Sequence, residues 1–263
     1  MIDLSIPLPV LSAIFILTLC RVSALIMAAP GFGESTSPMV VRAGLAITIS
    51  VLIMPVVQPQ LEKLATHILT SPTLLVVAVG QELLVGIFIG WIAKLVALSL
   101  VIAMQFIATF TGLASVLQPD PDLGASSTAI SHMASSLIPV LFLTTGLYVL
   151  PLAALTGSYS VFPPGEMPLV NDMAKALVIS TALSFKLGFQ YAAPFVLIGT
   201  LWPAMLGVLN RLMPSIQVYG IAMPAQLLGG VLLIALLIQV ITGVWQERMQ
   251  EALSELPGIH GQR

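Results

Sequence analysis

Thr111–Thr128 reads TGLASVLQPDPDLGASST, and its Gly, Ser, Pro and Asp content interrupts two long apolar runs. Upstream, Leu95–Gln118 carries no charged residue; downstream, Met133–Gly165 carries none either. Charge-free arms of that length meeting at Pro119-Asp120-Pro121 predict an antiparallel helical hairpin. The only charges at its tip are Asp120 and Asp122. Ahead of the corner, Gly112, Ala114 and Ser115 are small enough to leave the backbone within reach of a partner or a lumen. Two readings follow: a solvated loop between membrane spans, or a hairpin tip held inside an assembly, where small and apolar residues close a pore.

The composition around this hairpin fixes the class. Of 263 residues, 58% are hydrophobic and 8% charged. Soluble domains carry about a quarter of their residues charged, so this is a membrane-class protein. A net charge of −2 gives no basic footprint for nucleic acid, and no polybasic run faces lipid headgroups. Cys20 is the single cysteine, which excludes an intrachain disulfide and a cysteine-based metal site. Asp3 stands where a signal peptide carries Lys or Arg, and Pro30 follows Ala28-Ala29 directly, so the expectation is an uncleaved chain inserted by its own apolar segments.

Taken in order, the pattern predicts an all-α protein of long, kinked apolar helices. Segment one covers about Leu4–Ala29, broken at Arg21, and Pro30-Gly31-Phe32-Gly33 forces a turn. Segment two covers about Met39–Val57, with Gln58–Pro72 as a connector. Segment three has no proline from Thr73 to Gln118, about 46 residues or roughly 70 Å as continuous helix. A bilayer core needs about 20 residues, so this segment either turns back near Lys94 or extends well past one membrane thickness. Segment four, about Thr128–Leu155, has Pro139 and Pro151 as expected kinks. Asn171-Asp172 is the expected cap of segment five, which reaches Met213 and is expected to break at Pro194 and Pro203. A more polar patch follows Pro214, with Ser215, Gln217, Tyr219 and Gly220. Segment six runs from Ala222 to about Trp245. Residues 1–246 read as one helical domain with its hairpin tip at about 111–128. Residues 247–263 read as a short polar tail, solvated and stopped by Pro257-Gly258.

Charge is sparse and badly placed for ordinary spans. If six spans alternate, Lys63, Lys175, Arg248 and Arg263 share one side while Arg42 and Arg211 lie near the other, which specifies orientation weakly. Arg21, Glu82, Lys94 and Lys186 sit inside apolar runs, and each must face protein or water. Glu82, Gly86, Gly90 and Lys94 are spaced four apart on one helix stripe. Gly86 and Gly90 form GxxxG, which permits close helix approach. Glu82 and Lys94 lie about 18 Å apart along the helix and cannot pair with each other. The stripe therefore reads as a docking face for another subunit, with a proton or ion pathway as the alternative. His67, His132 and His260 are isolated, no HExxH or GxxxxGK[ST] occurs, and Ser131-His132 reads as capping chemistry. Neither catalysis nor a cofactor is expected. Met104 and Met133 flank the tip and read first as packing residues.

Three stretches together resemble the FliR family of flagellar export-gate proteins, related to the SctT component of injectisomes. In RVSALIMAAPGFGESTSPMVVRAGLA the matching positions are Arg21, Ala29-Pro30, Pro38, Arg42 and Gly44-Leu45. At the tip they are Gly112-Leu113 and Asp120-Pro121. In LGVLNRLMPSIQVYGIAMPAQLLGG they are Leu209-Asn210-Arg211, Pro214 and Pro224, while Ser215, Gln217 and Ala222-Met223 depart from the family pattern. The resemblance implies a structural pore subunit without catalysis, assembled with FliP-like and FliQ-like gate subunits and working with FlhB-like and FlhA-like proteins. It places the chain in the bacterial inner membrane at the flagellar basal body, passing unfolded exported proteins. It assigns a pore plug to Gly112, Leu113, Ala114, Ser115, Val116 and Leu117. Injectisome use is one alternative. A secondary transporter using Glu82, Lys94 and Lys186 is the other.

Overall fold

The computed structural model describes residues 6–34, 38–116, 129–213 and 218–259, and among these it contains helices and no strands. The helices are α1 Leu8–Ala28, α2 Met39–Ile68, α3 Pro72–Ala97, α4 Ser99–Phe110, the single turn α5 Leu113–Val116, α6 Ala129–Thr144, α7 Val149–Val161, α8 Val170–Leu212 and α9 Val218–Ser254. Pro72–Phe110 passes as one 39-residue apolar segment, and α1, α2, α8 and most of α9 are also long and apolar enough to cross a membrane. The bent pair α6 and α7 makes a possible sixth span.

The breaks expected at Pro194 and Pro203 do not occur, and prolines elsewhere are carried in the same way. Pro55 and Pro59 lie inside α2, Pro194 and Pro203 inside α8, and Pro224 inside α9. A proline removes one backbone hydrogen bond, but in hydrocarbon every alternative to helix leaves more groups unpaired, so apolar helices run through it. The expected connector after Val57 is instead the amphipathic second half of α2. There Val57, Leu61, Ala65 and Ile68 are buried at helical spacing, while Gln60, Glu62, Lys63 and His67 face outward.

Glycine makes the sharp bend that Pro139 and Pro151 were expected to make. α6 and α7 meet at 71°, and between them Gly146 takes φ +76°, a left-handed conformation that suits glycine. Pro139 stays within α6, and Pro151 sits in the first turn of α7, where little is lost by a missing N–H. Segment three does not fold back near Lys94. At Leu98, between α3 and α4, the torsions stay helical and the carbonyl accepts the N–H of Ile102 at 3.0 Å. The start of α8 lies before its expected cap: Leu169 accepts the N–H groups of Asp172 and Met173, so Asn171 and Asp172 belong to the first turn.

The C-terminal stretch is also more than a solvated tail. Residues 247–254 continue α9, and Trp245, Met249, Leu253 and then Leu256 are buried along one face. Gly258, at φ +103°, presses its backbone against Gly157 of α7 so closely that a Cβ on Gly157 would overlap the Gly258 carbonyl.

Contact density divides the chain into two compact units, one of Met1–Val96, Pro139–Ser180 and Met249–Arg263, the other of Ala97–Ile138 and Thr181–Arg248. Much of α8 and α9 is uncovered. Only 11% of the most apolar window of each is buried, against 61% for Pro72–Phe110. Val178, Ile179, Leu197, Leu201, Leu228 and Leu236 are among the exposed apolar side chains. Faces of this kind require lipid or protein as their solvent.

The glycine contacts separate two classes of substitution. Gly157→Ala should lower stability of the purified chain by about 1–3 kcal/mol through overpacking. Gly44→Ala, where a Cβ meets nothing within 4 Å in mid-helix, should be neutral or stabilising by about 0.5–1 kcal/mol. Thermal unfolding in detergent checks both.

Candidate functional site

The first site is a buried charge cluster in the first unit. Arg21 on α1 and Glu82 on α3 are each 1% exposed. The pairing is bidentate: Nε donates to Oε2 at 2.5 Å and Nη2 to Oε1 at 3.0 Å. Nη1 donates to Ser158 Oγ at 3.0 Å, and Nη2 also reaches the Phe162 carbonyl at 3.3 Å. The Ser158 hydroxyl in turn donates to Leu155 O at 2.7 Å. Over the flat face of the guanidinium lies Tyr159, its ring centroid 3.8 Å from Cζ. This is a planar fork matched to a carboxylate and stacked on an aromatic, which lysine could not reproduce.

Gly86 and Gly90 make the pairing possible. A Cβ at Gly86 would overlap the carbonyl of Arg21, and one at Gly90 would lie 2.7 Å from Ala28 Cβ. The stripe expected to dock another subunit therefore docks α1 of the same chain. Its last member, Lys94, lies 3.8 Å from Glu34 in the turn after α1, with both side chains about a third exposed. The motif residues around that turn fit the same frame. Pro30 is buried, Pro38 precedes α2 and accepts its first N–H groups, and Arg42 Nη2 donates to the Glu34 carbonyl.

Both Glu82 oxygens are engaged by Arg21, Glu82 and Lys94 have different partners, and Lys186 is exposed on α8. Ser158, Tyr159, Phe162 and the Gly157–Gly258 contact gave no signal in the sequence. Their pairing with Arg21 spans more than 130 residues, and no local spacing encodes it.

The second site, in the other unit, is the elbow where α4 ends. Thr111 N–H donates to Ile107 O at 3.0 Å, and Gly112 N–H to Thr109 O at 3.3 Å. Gly112 then turns at φ +81° into α5. Of the expected plug residues, Gly112 and Ala114 are half-buried and Leu113 is buried; Ser115 and Val116 complete α5. Leu117, Asp120, Pro121 and Pro214 lie outside the described residues, as do Ser215 and Gln217. Asn210 and Arg211 are exposed at the end of α8, and Pro224 is exposed in α9. The elbow is gripped by residues that sequence reading passed over. A Cβ at Gly199 would overlap Phe110 O, one at Gly230 would lie 2.7 Å from Thr111 Cβ, and Gln226 Nε2 donates to Phe110 O at 3.4 Å.

Long apolar helices, a desolvated bidentate ion pair and uncovered outer faces define an all-α, multi-helix membrane-type protein. The family described as Bacterial export proteins, family 1, matches residues 12–252. The chain is 32% identical over 237 residues to the flagellar biosynthetic protein FliR of Caulobacter vibrioides, covering 90% of this chain and 93% of that one. It is 26% identical over 241 residues to FliR of Escherichia coli, covering 92% and 90%, and 26% over 236 residues to FliR of Aquifex aeolicus, covering 90% and 89%. The chain belongs to this family of bacterial export proteins, the FliR family.

Removing one partner of the buried pair strands the other. Arg21→Met and Glu82→Met should each cost about 3–5 kcal/mol, while the double variant should recover most of that loss. Unfolding midpoints of the three variants form the double-mutant cycle; additive losses would show the pair is not coupled.

Proposed function

We propose that this chain is a non-catalytic, pore-building subunit of the flagellar type III export gate in the bacterial inner membrane. It works with FliP-like, FliQ-like, FlhB-like and FlhA-like proteins at the basal body and helps form and close the channel for unfolded flagellar subunits. One observation carries the reading: a FliR-family chain keeps two helices of 43 and 37 residues, α8 and α9, with their apolar faces uncovered. At 1.5 Å per residue these are roughly 55–65 Å long, about twice a bilayer core. Sister helices are the solvent that suits the excess.

The elbow supports the closing role. Phe110–Val116 turns through a left-handed glycine into a single helical turn, Leu-Ala-Ser-Val, that carries no charged residue. The named relatives are flagellar biosynthetic proteins, which favours flagellar over injectisome use.

Deleting Gly112–Leu117 should leave the assembled gate in place and raise the resting permeability of the membrane to small ions. A conductance or swelling measurement on cells carrying the assembled gate reads this directly. Unchanged permeability with normal assembly would remove the plug role from this segment.

A further inference from the structure

The last four carbonyls of a helix have no partner within it, and α4 accounts for its four unequally. Ile107 O takes the Thr111 N–H at 3.0 Å and the Thr111 hydroxyl at 2.7 Å, Thr109 O takes the Gly112 N–H, and Ala108 O lies 3.4 Å from the same hydroxyl. The partners of these three lie within two residues of the helix end. Phe110 O is served from 116 residues away, by the side-chain amide of Gln226 on α9. On its other flank that same carbonyl rests against Gly199 of α8, where any side chain would overlap it. Gly230, one turn beyond Gln226, takes the Thr111 side chain in the same way. Phe110 and Thr111 also border an apolar cavity of about 280 Å³, with Phe195, Trp202 and Leu233 on its wall. The elbow is therefore clamped by one polar contact and two glycine seats, and empty space beside it can accept a displaced Phe110.

We propose that Gln226 is a positioning residue which, with Gly199 and Gly230, holds the Phe110–Gly112 elbow and thereby sets where α5 rests. This rests on the plug reading of Gly112–Leu117 and assigns the part of the chain that keeps the plug at its resting position. Gln226 acts through the Phe110 carbonyl, with its amide also beside Gly112. Losing its N–H leaves that half-buried carbonyl without this partner, and the elbow shifts toward the cavity.

The test uses the assembled export apparatus in its native membrane, with Cys20→Ala and Ala114→Cys as the common background. Gln226→Met keeps the side-chain length without its N–H, and Gln226→Glu, assayed at a pH that keeps it ionised, keeps the shape but presents only acceptors. Both should raise the maleimide-labelling rate of the thiol introduced at position 114 by about fivefold, the population change carried by one ordinary hydrogen bond. Both should also raise resting ion permeability, whereas a merely packing role would respond to neither isosteric change. Gly230→Ala, which pushes on Thr111 without touching Gln226, should act in the same direction. Unchanged labelling in all three overturns the proposal. Faster labelling with unchanged permeability also overturns it when the Gly112–Leu117 deletion, measured alongside, leaks. If that deletion stays tight as well, the plug reading fails and the faster labelling still supports the elbow seat.

Discussion

A guanidinium inside an apolar helix has to be neutralised where it stands, and much of the first unit is arranged around that requirement. Arg21 is too deep to reach water and too far from the ends of α1 to escape along the helix. Glu82 supplies the charge from α3, Ser158 and the Phe162 carbonyl take further N–H groups, and Tyr159 covers the flat face. The fork geometry tolerates little error, so three segments distant in sequence are held in one register. The close approach comes from backbone: Gly86, one turn past Glu82, lets α3 touch the carbonyl of Arg21 itself. Ion pair and glycine seat are thus one device. A longer residue at the seat separates the charges, and a missing charge leaves the seat holding an unpaired ion.

The C-terminal segment is tied to the same device. Gly258 lies against Gly157, the residue before the serine that binds Arg21. Met249, Leu253 and Leu256 bury the apolar face of the final turns. A stretch with four charged residues among its ten (Glu247, Arg248, Glu251, Glu255) looks solvated in composition, yet the spacing of its apolar members makes it part of the unit's packing.

Away from this centre the chain leaves its hydrophobicity outward. α8 and α9 carry proline without breaking and expose rows of Leu, Val and Ile. Unbroken length has a physical cause, because in a medium without water the helix is the only conformation that pairs the backbone within one segment. Uncovered length is what an export protein that assembles with neighbours would bring to them. The α4–α5 elbow has the opposite character, with the Phe110 carbonyl and the Thr111 side chain held against glycines on two helices and the carbonyl paired with Gln226.

Composition and periodicity were enough to establish an all-α membrane-type chain, because apolar runs this long have few other solutions in lipid. Residue order at Arg21, Pro30, Pro38, Arg42 and the Thr111–Thr128 corner was enough to suggest the family. The spacing of Glu82, Gly86 and Gly90 announced a docking face, since periodicity reports which residues share a stripe. It could not announce the occupant: α1 of the same chain lies along Gly86 and Gly90, and Glu82 meets Arg21 from 61 residues away in the chain. Proline likewise marked candidate breaks in α8 at Pro194 and Pro203 that tertiary and solvent constraints overrode, and the real corner fell at Gly146. Ser158, Tyr159, Gln226, Gly199 and Gly230 were silent in the one-dimensional record. Their roles depend on distances across the fold, and such distances arise only when the helices pack.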